Sequence, residues 1–425
     1  MNNHVSRGKR RYSAIASFAL GLGTAIGVSM VLTIPAQAAT ETIVHNFTGS
    51  PDGGSGYSGV LSGLIQDAAG NLFGTTGEGG IYDAQNGGAG TVFELSLQNG
   101  VWVETVIHSF GGPGDGGFPY GGLVMDGAGN LYGVLFDYVY FGAVYKLTPD
   151  GHGNWTETIL TEPGAGPQVP FDTLTLDAAG NIYGVGLGTG SEGKCRKKCG
   201  FVYELSPPAS PAKKKWKYTV LYRFLGEKYG DGENPYGNLV FDAAGNLYGV
   251  TAGGGADDYG IVFELSPGVA GWTEKVIYDF SDGLLGQYPR AGLTRDPAGN
   301  LYGTTAGYGG GMVFELSPNN SWTLNVLYSF PEPIDGKSSW GLVTLRDGNL
   351  YGTTIAGGSS GDGVVFELSA SGGTWTENVL HSFAGSPSDG VYPEGGLVFD
   401  NDGNLYGVTT RGGATGNGIV YEISQ

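Results

Sequence analysis

Residues 299–305 read Gly299-Asn300-Leu301-Tyr302-Gly303-Thr304-Thr305, and residues 312–317 read Met312-Val313-Phe314-Glu315-Leu316-Ser317. Both runs are short and rich in β-branched and aromatic residues, and a glycine-rich stretch separates them. That is the pattern of two strands joined by a turn. Neither run stands alone. The first motif recurs around Asn71, Asn130, Asn181, Asn246, Asn300, Asn349 and Asn404, at intervals of 49 to 65 residues. The second recurs around Glu94, Lys146, Glu204, Glu264, Glu315, Glu367 and Glu422. Self-similarity at this period marks a repeat architecture. Seven copies fill residues 39–425 and leave no room for a second domain.

Each repeat holds four strand-like runs, A to D. In the fourth repeat they are Asn238–Asp242, Asn246–Thr251, Ile261–Ser266 and Trp272–Phe280. The A-to-B connection reads Asp-x-x-Gly-Asn, as in Asp242 to Asn246, with residue types that suit a type I turn. These aspartates lack the alternating oxygen ligands and distal glutamate of a calcium loop, so they read as turn-formers. Strand D usually starts at a tryptophan (Trp102, Trp155, Trp216, Trp272, Trp322, Trp375) and ends at a phenylalanine. The seventh repeat stops after its C strand, Ile419–Ser424, with no D strand of its own. Glu41–Phe47 matches Glu104–Phe110 position for position and supplies the missing strand. The expected fold is therefore all-β: a seven-bladed β-propeller with four antiparallel strands per blade, the N-terminal strand closing the last blade. An open solenoid would leave that first strand orphaned.

The run Gly-Asn-Leu-Tyr-Gly-Thr-Thr, followed by Gly-x-Val-Phe-Glu-Leu, resembles the GloVer tandem repeat of exported bacterial proteins, with a close match at residues 301–316. The resemblance covers the repeat region and implies export and a propeller-like β-repeat architecture. It implies no activity and no catalytic residue. Members often carry a C-terminal anchoring signal, which this sequence does not show after strand C.

Composition agrees with the repeat reading. Of 425 residues 82 are glycine, yet 40% are hydrophobic and 12% aromatic, enough for a core. Collagen is excluded because the glycines have no three-residue period, and glycine at this density opposes helices. The first residues differ in kind. Arg7, Lys9, Arg10 and Arg11 precede an apolar stretch from Ala14 to Ile34, and Ala36-Gln37-Ala38 forms a small-x-small site. Residues 1–38 read as a signal peptide cleaved near Ala38, giving a secreted or periplasmic protein with no membrane span after cleavage. Uncleaved, the stretch is long enough to cross a bilayer. A net charge of −19 makes nucleic acid a poor partner, and a monomer is expected.

The two cysteines, Cys195 and Cys199, read as a small disulfide loop in an exported protein. No zinc-type or Ser-His-Asp spacing is present, so neither metal nor cofactor is expected. His45, His108 and His381 share one position of strand D, which other repeats fill with Thr161, Tyr222, Tyr278 and Tyr328. That tolerance reads as structural. Functional variety is expected on the face that carries the D-to-A and B-to-C loops. Several D-to-A loops pair an aspartate with an aromatic: Asp115 and Tyr120, Asp231 and Tyr236, Asp282 and Tyr288, Asp335 and Trp340, Asp389 and Tyr392. The second repeat adds an aromatic B-to-C loop with Phe136, Tyr138, Tyr140 and Phe141. Tyr120, Tyr236, Trp340 and those four are the candidate ligand-binding residues. Two function classes follow: a non-catalytic scaffold that binds a glycan or protein ligand, or an extracellular lyase or glycoside hydrolase with an axial active site.

Overall fold

The computed structural model describes residues 39–54, 63–82, 88–136, 142–161, 173–188, 199–210, 215–281, 286–307, 310–330 and 341–425. They build seven four-stranded antiparallel sheets. In blade 4 the strands are A (Gly232–Phe241), B (Leu247–Gly254), C (Ile261–Gly268) and D (Gly271–Asp279). In blade 7, strands A (Gly390–Phe399), B (Leu405–Gly412) and C (Ile419–Ser424) are completed by Thr40–Asn46 as strand D. Thr40 lies opposite Ser424, and Asn46 opposite Ile419. The ring closes as the strand count required. No helix among the described residues is long and apolar enough to cross a membrane. Residues 1–38, the expected leader, lie outside the described residues.

The apolar core is divided among the blade junctions. Among the described residues, seven clusters of buried side chains occur, each drawn from two neighbouring blades. The one between blades 7 and 1 joins Phe47, Leu64, Leu72, Phe93 and Leu95 to Tyr406, Val408 and Val420. Strand B is buried on both faces because it is sandwiched between sheets. Strand D's tryptophan packs on the motif tyrosine or phenylalanine of the preceding blade: Trp102 on Tyr406 at 5.8 Å, Trp155 on Phe73 at 6.2 Å, Trp322 on Tyr248 at 5.7 Å. This explains why both aromatics recur together.

The Asp-x-x-Gly-Asn segments are turns. Asp242 accepts hydrogen bonds from the Ala244 and Asn246 amides and the Asn246 side chain, all at 2.8 Å. The Tyr248 hydroxyl donates to it at 3.2 Å. With its oxygens occupied in this way, the carboxylate is a local cap. The shorter turn of blade 6 loses that arrangement, and Asn349 donates instead to the strand C glutamate, Glu367, at 2.8 Å.

Strand D carries a device that the residue pattern hides. In six of the seven blades its ladder with strand C slips by one residue; in blade 1, Phe93 faces Val106 while Val92 faces His108. Such a bulge re-aims the side chains beyond it. Glu104 and His108, four apart, would otherwise share a face. With the bulge between them, Glu104 meets blade 7 and His108 meets blade 2.

Candidate functional site

The D-to-A and B-to-C loops lie together, as shown by the bonds from the Gly255 amide to the Asp231 carbonyl at 2.9 Å and from Gly413 to Asp389 at 2.7 Å. Among the described residues, four D-to-A loops share one local structure. The residue before the proline (Phe118, Asn234, Tyr288, Tyr392) has a left-handed backbone with φ between 56° and 58°. This is uncommon for residues with side chains. Its amide donates to a B-to-C loop carbonyl of the blade just left: Phe118 to Ala89, Asn234 to Cys199, Tyr288 to Tyr259 and Tyr392 to Asp362, at 2.7–3.0 Å. The proline then packs on the glycine before strand C. A Cβ on Gly200 would stand 2.3 Å from Pro235, and Gly200 has φ +86°.

The strained residue delivers the one after the proline to the stretch of chain that leads along the inner strand. That position holds Tyr120, Tyr236, Arg290 and Glu394. Tyr288 and Tyr392 therefore belong to the strained position, and do not correspond to Tyr120 and Tyr236 as the Asp–aromatic pairing implied. Below these residues lies an axial cavity of about 350 Å³, lined by residues in or just before the inner strands of all seven blades. Its polar lining includes Arg290, Asn238, Thr173 and Thr344. The inner ring is tied blade to blade: Thr175 donates to the Leu239 carbonyl at 2.6 Å and Thr344 to Leu397 at 2.7 Å. The Asn238 side chain pairs with both backbone groups of Leu293.

Of the sequence-derived candidates, the structure brings Tyr120 and Phe136 together at 5.6 Å between ring centroids, with Phe118 5.9 Å from Tyr120. Tyr236 holds the same loop position in blade 4, with the Arg290 guanidinium 5.8 Å from its ring centre. Tyr138, Tyr140, Phe141 and Trp340 lie outside the described residues. So does Cys195, while Cys199 is buried at the start of strand C. The residues missed by sequence reasoning are the charged pair at the same position, Arg290 and Glu394. Burial pushes the Glu394 carboxyl up to about 7, against the opposing charge of Arg411. The signal was available: both follow Pro in the loop where other repeats carry an aromatic.

A second set of polar groups lies at the outer edge, where strands D of adjacent blades meet. The His or Tyr position of one blade, the D-to-A loop aspartate and the Trp+2 glutamate of the next blade converge. Tyr222 donates to Asp231 at 2.8 Å, and Glu274 faces them. His381 lies 3.1 Å from Asp389, His108 3.5 Å from Asp115, and His45 3.6 Å from Asp52. Burial, helped by the Asp231 charge, raises the Glu274 carboxyl to about 7. A carboxyl raised in the folded state contributes stability that is complete below its unfolded value near 4.5 and is lost as pH rises through about 7. Glu274→Gln is therefore expected to be more stable than the parent at pH 8, by about 1–2 kcal/mol after solvent screening. At pH 4.5 the two should match. Urea unfolding at both pH values checks this, and an equal difference at both would contradict it.

Fold and site together define a closed, seven-bladed tandem-repeat propeller with a polar, aromatic-rimmed axial mouth. The chain matches the Gloeobacter/Verrucomicrobia repeat family over residues 62–310 and 295–425, and it belongs to that family. No curated protein matches it. Among solved structures it is similar to a puromycin-hydrolysing peptidase of Mycobacterium tuberculosis, at 14% identity and a TM-score of 0.51 over 85% of this chain and 52% of the peptidase. The chain thus spans about half that protein's length. It is also similar to a protein from Lactobacillus plantarum, at 14% identity and a TM-score of 0.49 over 79% of this chain and 95% of the other. At this identity the likeness concerns the fold alone.

Proposed function

We propose that the chain is an exported, non-catalytic propeller that binds a glycan or protein ligand at the axial mouth of its loop-rich face. The lining of the axial cavity carries this reading. It offers glycine backbone, threonine hydroxyls, one carboxamide and one guanidinium. Among the described residues that line it there is no histidine, cysteine, serine or carboxylate to act as nucleophile or base. Around the mouth, Tyr236 beside Arg290 and the Tyr120–Phe136 pair provide flat apolar faces with polar edges, suited to stacking on sugar rings. By sequence, Tyr138, Tyr140 and Phe141 belong to the loop of Phe136, and Trp340 to the D-to-A loop that enters blade 6. Export by the 1–38 leader and a Cys195–Cys199 bond complete the proposal.

A glycan array probed with the purified protein tests it. Tyr236→Ala is expected to weaken binding at least tenfold, while the melting temperature stays within a degree or two. A large drop in melting temperature with unaltered binding would leave Tyr236 a packing residue and defeat the site. The enzymatic alternative, a lyase or glycoside hydrolase, draws on Glu394, whose raised carboxyl lies in the range of a general acid. Polysaccharide turnover abolished by Glu394→Gln would favour it.

A further inference from the structure

We propose that the junctions between blades 1 and 2 and between blades 6 and 7 are binding sites for a divalent transition-metal ion, with zinc the best fit to their donors. The first gathers His108, Asp115 and Glu157; the second gathers His381, Asp389 and Glu41. In each, one ligand atom per residue lies within 4.8 Å of the other two. Zinc bound tetrahedrally at about 2.0–2.1 Å holds neighbouring ligand atoms roughly 3.4 Å apart. The His–Asp separations of 3.5 Å and 3.1 Å are already close to that.

The junction of blades 1 and 2 is poorly satisfied by the protein itself, whereas at the junction of blades 6 and 7 His381 already bonds Asp389 at 3.1 Å and it is Glu41 that lacks a partner. His108 Nε2, Asp115 Oδ1 and Glu157 Oε1 are withdrawn from solvent and make no hydrogen bond; the same holds for Glu41 Oε1. Unbonded polar atoms gathered at one junction are costly unless something pairs with them. The junction of blades 3 and 4 shows how a tyrosine solves the problem, since the Tyr222 hydroxyl bonds Asp231 at 2.8 Å. A histidine at 3.5 Å does not. One imidazole and two carboxylates suit zinc, carry the charge that a divalent ion neutralises, and leave a fourth position for water. The junction of blades 7 and 1 has the same residue types, His45, Asp52 and Glu104. Among the described residues, though, only the other two junctions gather the three donors within 4.8 Å. Two ions per chain are therefore expected. Each would clamp a strand D histidine and loop aspartate of one blade to the outer strand of the next.

The test is calorimetric titration of zinc chloride into the full chain, made without a histidine tag and freed of metal with EDTA. Two equivalents are expected, with a rise in melting temperature. His108→Tyr and His381→Tyr should each remove one equivalent, and the double variant both. Tyrosine occupies this position in Tyr222, Tyr278 and Tyr328, so these variants are suited to the fold, and metal-free melting curves verify it. Glu157→Gln and Glu41→Gln provide a second pair with the same expected losses. No uptake by the parent chain, or two equivalents retained by either double variant, would overturn the proposal.

Discussion

Phe47→Ala is expected to cost roughly 3–5 kcal/mol, as much as Phe110→Ala. Both rings are fully buried. Phe47 packs edge-on against Phe93 at 5.2 Å, and Phe110 against Tyr145 at 5.0 Å. Each also packs edge-on against the histidine two residues before it. In a closed ring the two junctions are equivalent, and so are the penalties. In an open array Phe47 would sit on a frayed end and its loss would cost little. Urea unfolding of the two variants separates the cases: a Phe47 penalty below about 1 kcal/mol beside a full Phe110 penalty would refute the closure. Deleting residues 39–48 removes the strand with the ring and should exceed either.

Gly249→Ala is the second large effect. The final glycine of the strand B motif lies under the aromatic ring of strand C in every blade. A Cβ on Gly249 would stand 2.5 Å from Phe263 Cζ and 2.8 Å from Leu239 Cδ2. The matching distances for Gly303 against Phe314 and Gly407 against Tyr421 are 2.6 Å and 2.3 Å. Phe263 is fully buried between two blades and has no room to retreat, so this one methyl group should cost about 1–3 kcal/mol by overpacking. A neutral result in thermal or urea unfolding would show that the ring can move. A control is Gly245→Ala in the adjacent turn. It has open space around it but a φ of +87°, so its penalty comes from the backbone alone.

The strand count, the turn aspartates and the closing strand were legible because each repeats a local pattern seven times. The Phe–Gly contact was half visible: both motifs are plain in the sequence, and only their stacking is not. The strand D bulge was invisible, since a one-residue slip leaves no mark on composition. Without it, Glu104 and His108 would share a face, and the His position would stand as an isolated structural choice. The clusters it creates draw on residues such as His108 and Glu157, or His381 and Glu41, whose separation carries no motif. At the axial mouth the sequence pointed to Tyr120, Tyr236 and Phe136 because aromatics stand out in glycine-rich loops. Arg290 and Glu394 are hidden in the sequence because the spacing from the aspartate varies, whereas in the structure these loops align on the proline.

The pairing of Thr40 with Ser424 spans 384 residues, while every other outer strand follows its neighbour through a short connection. The entropic cost of that span is modest, growing by about 0.6 kcal/mol per doubling of loop length. Its consequence lies in timing. Six blades can assemble from near neighbours while Ile419–Ser424 still presents an apolar, unpaired edge. During that interval the first strand of another molecule fits the same edge with the same hydrogen bonds. Crowded refolding therefore opens a route to exchanged dimers and chains in which each ring is latched by its neighbour's first strand.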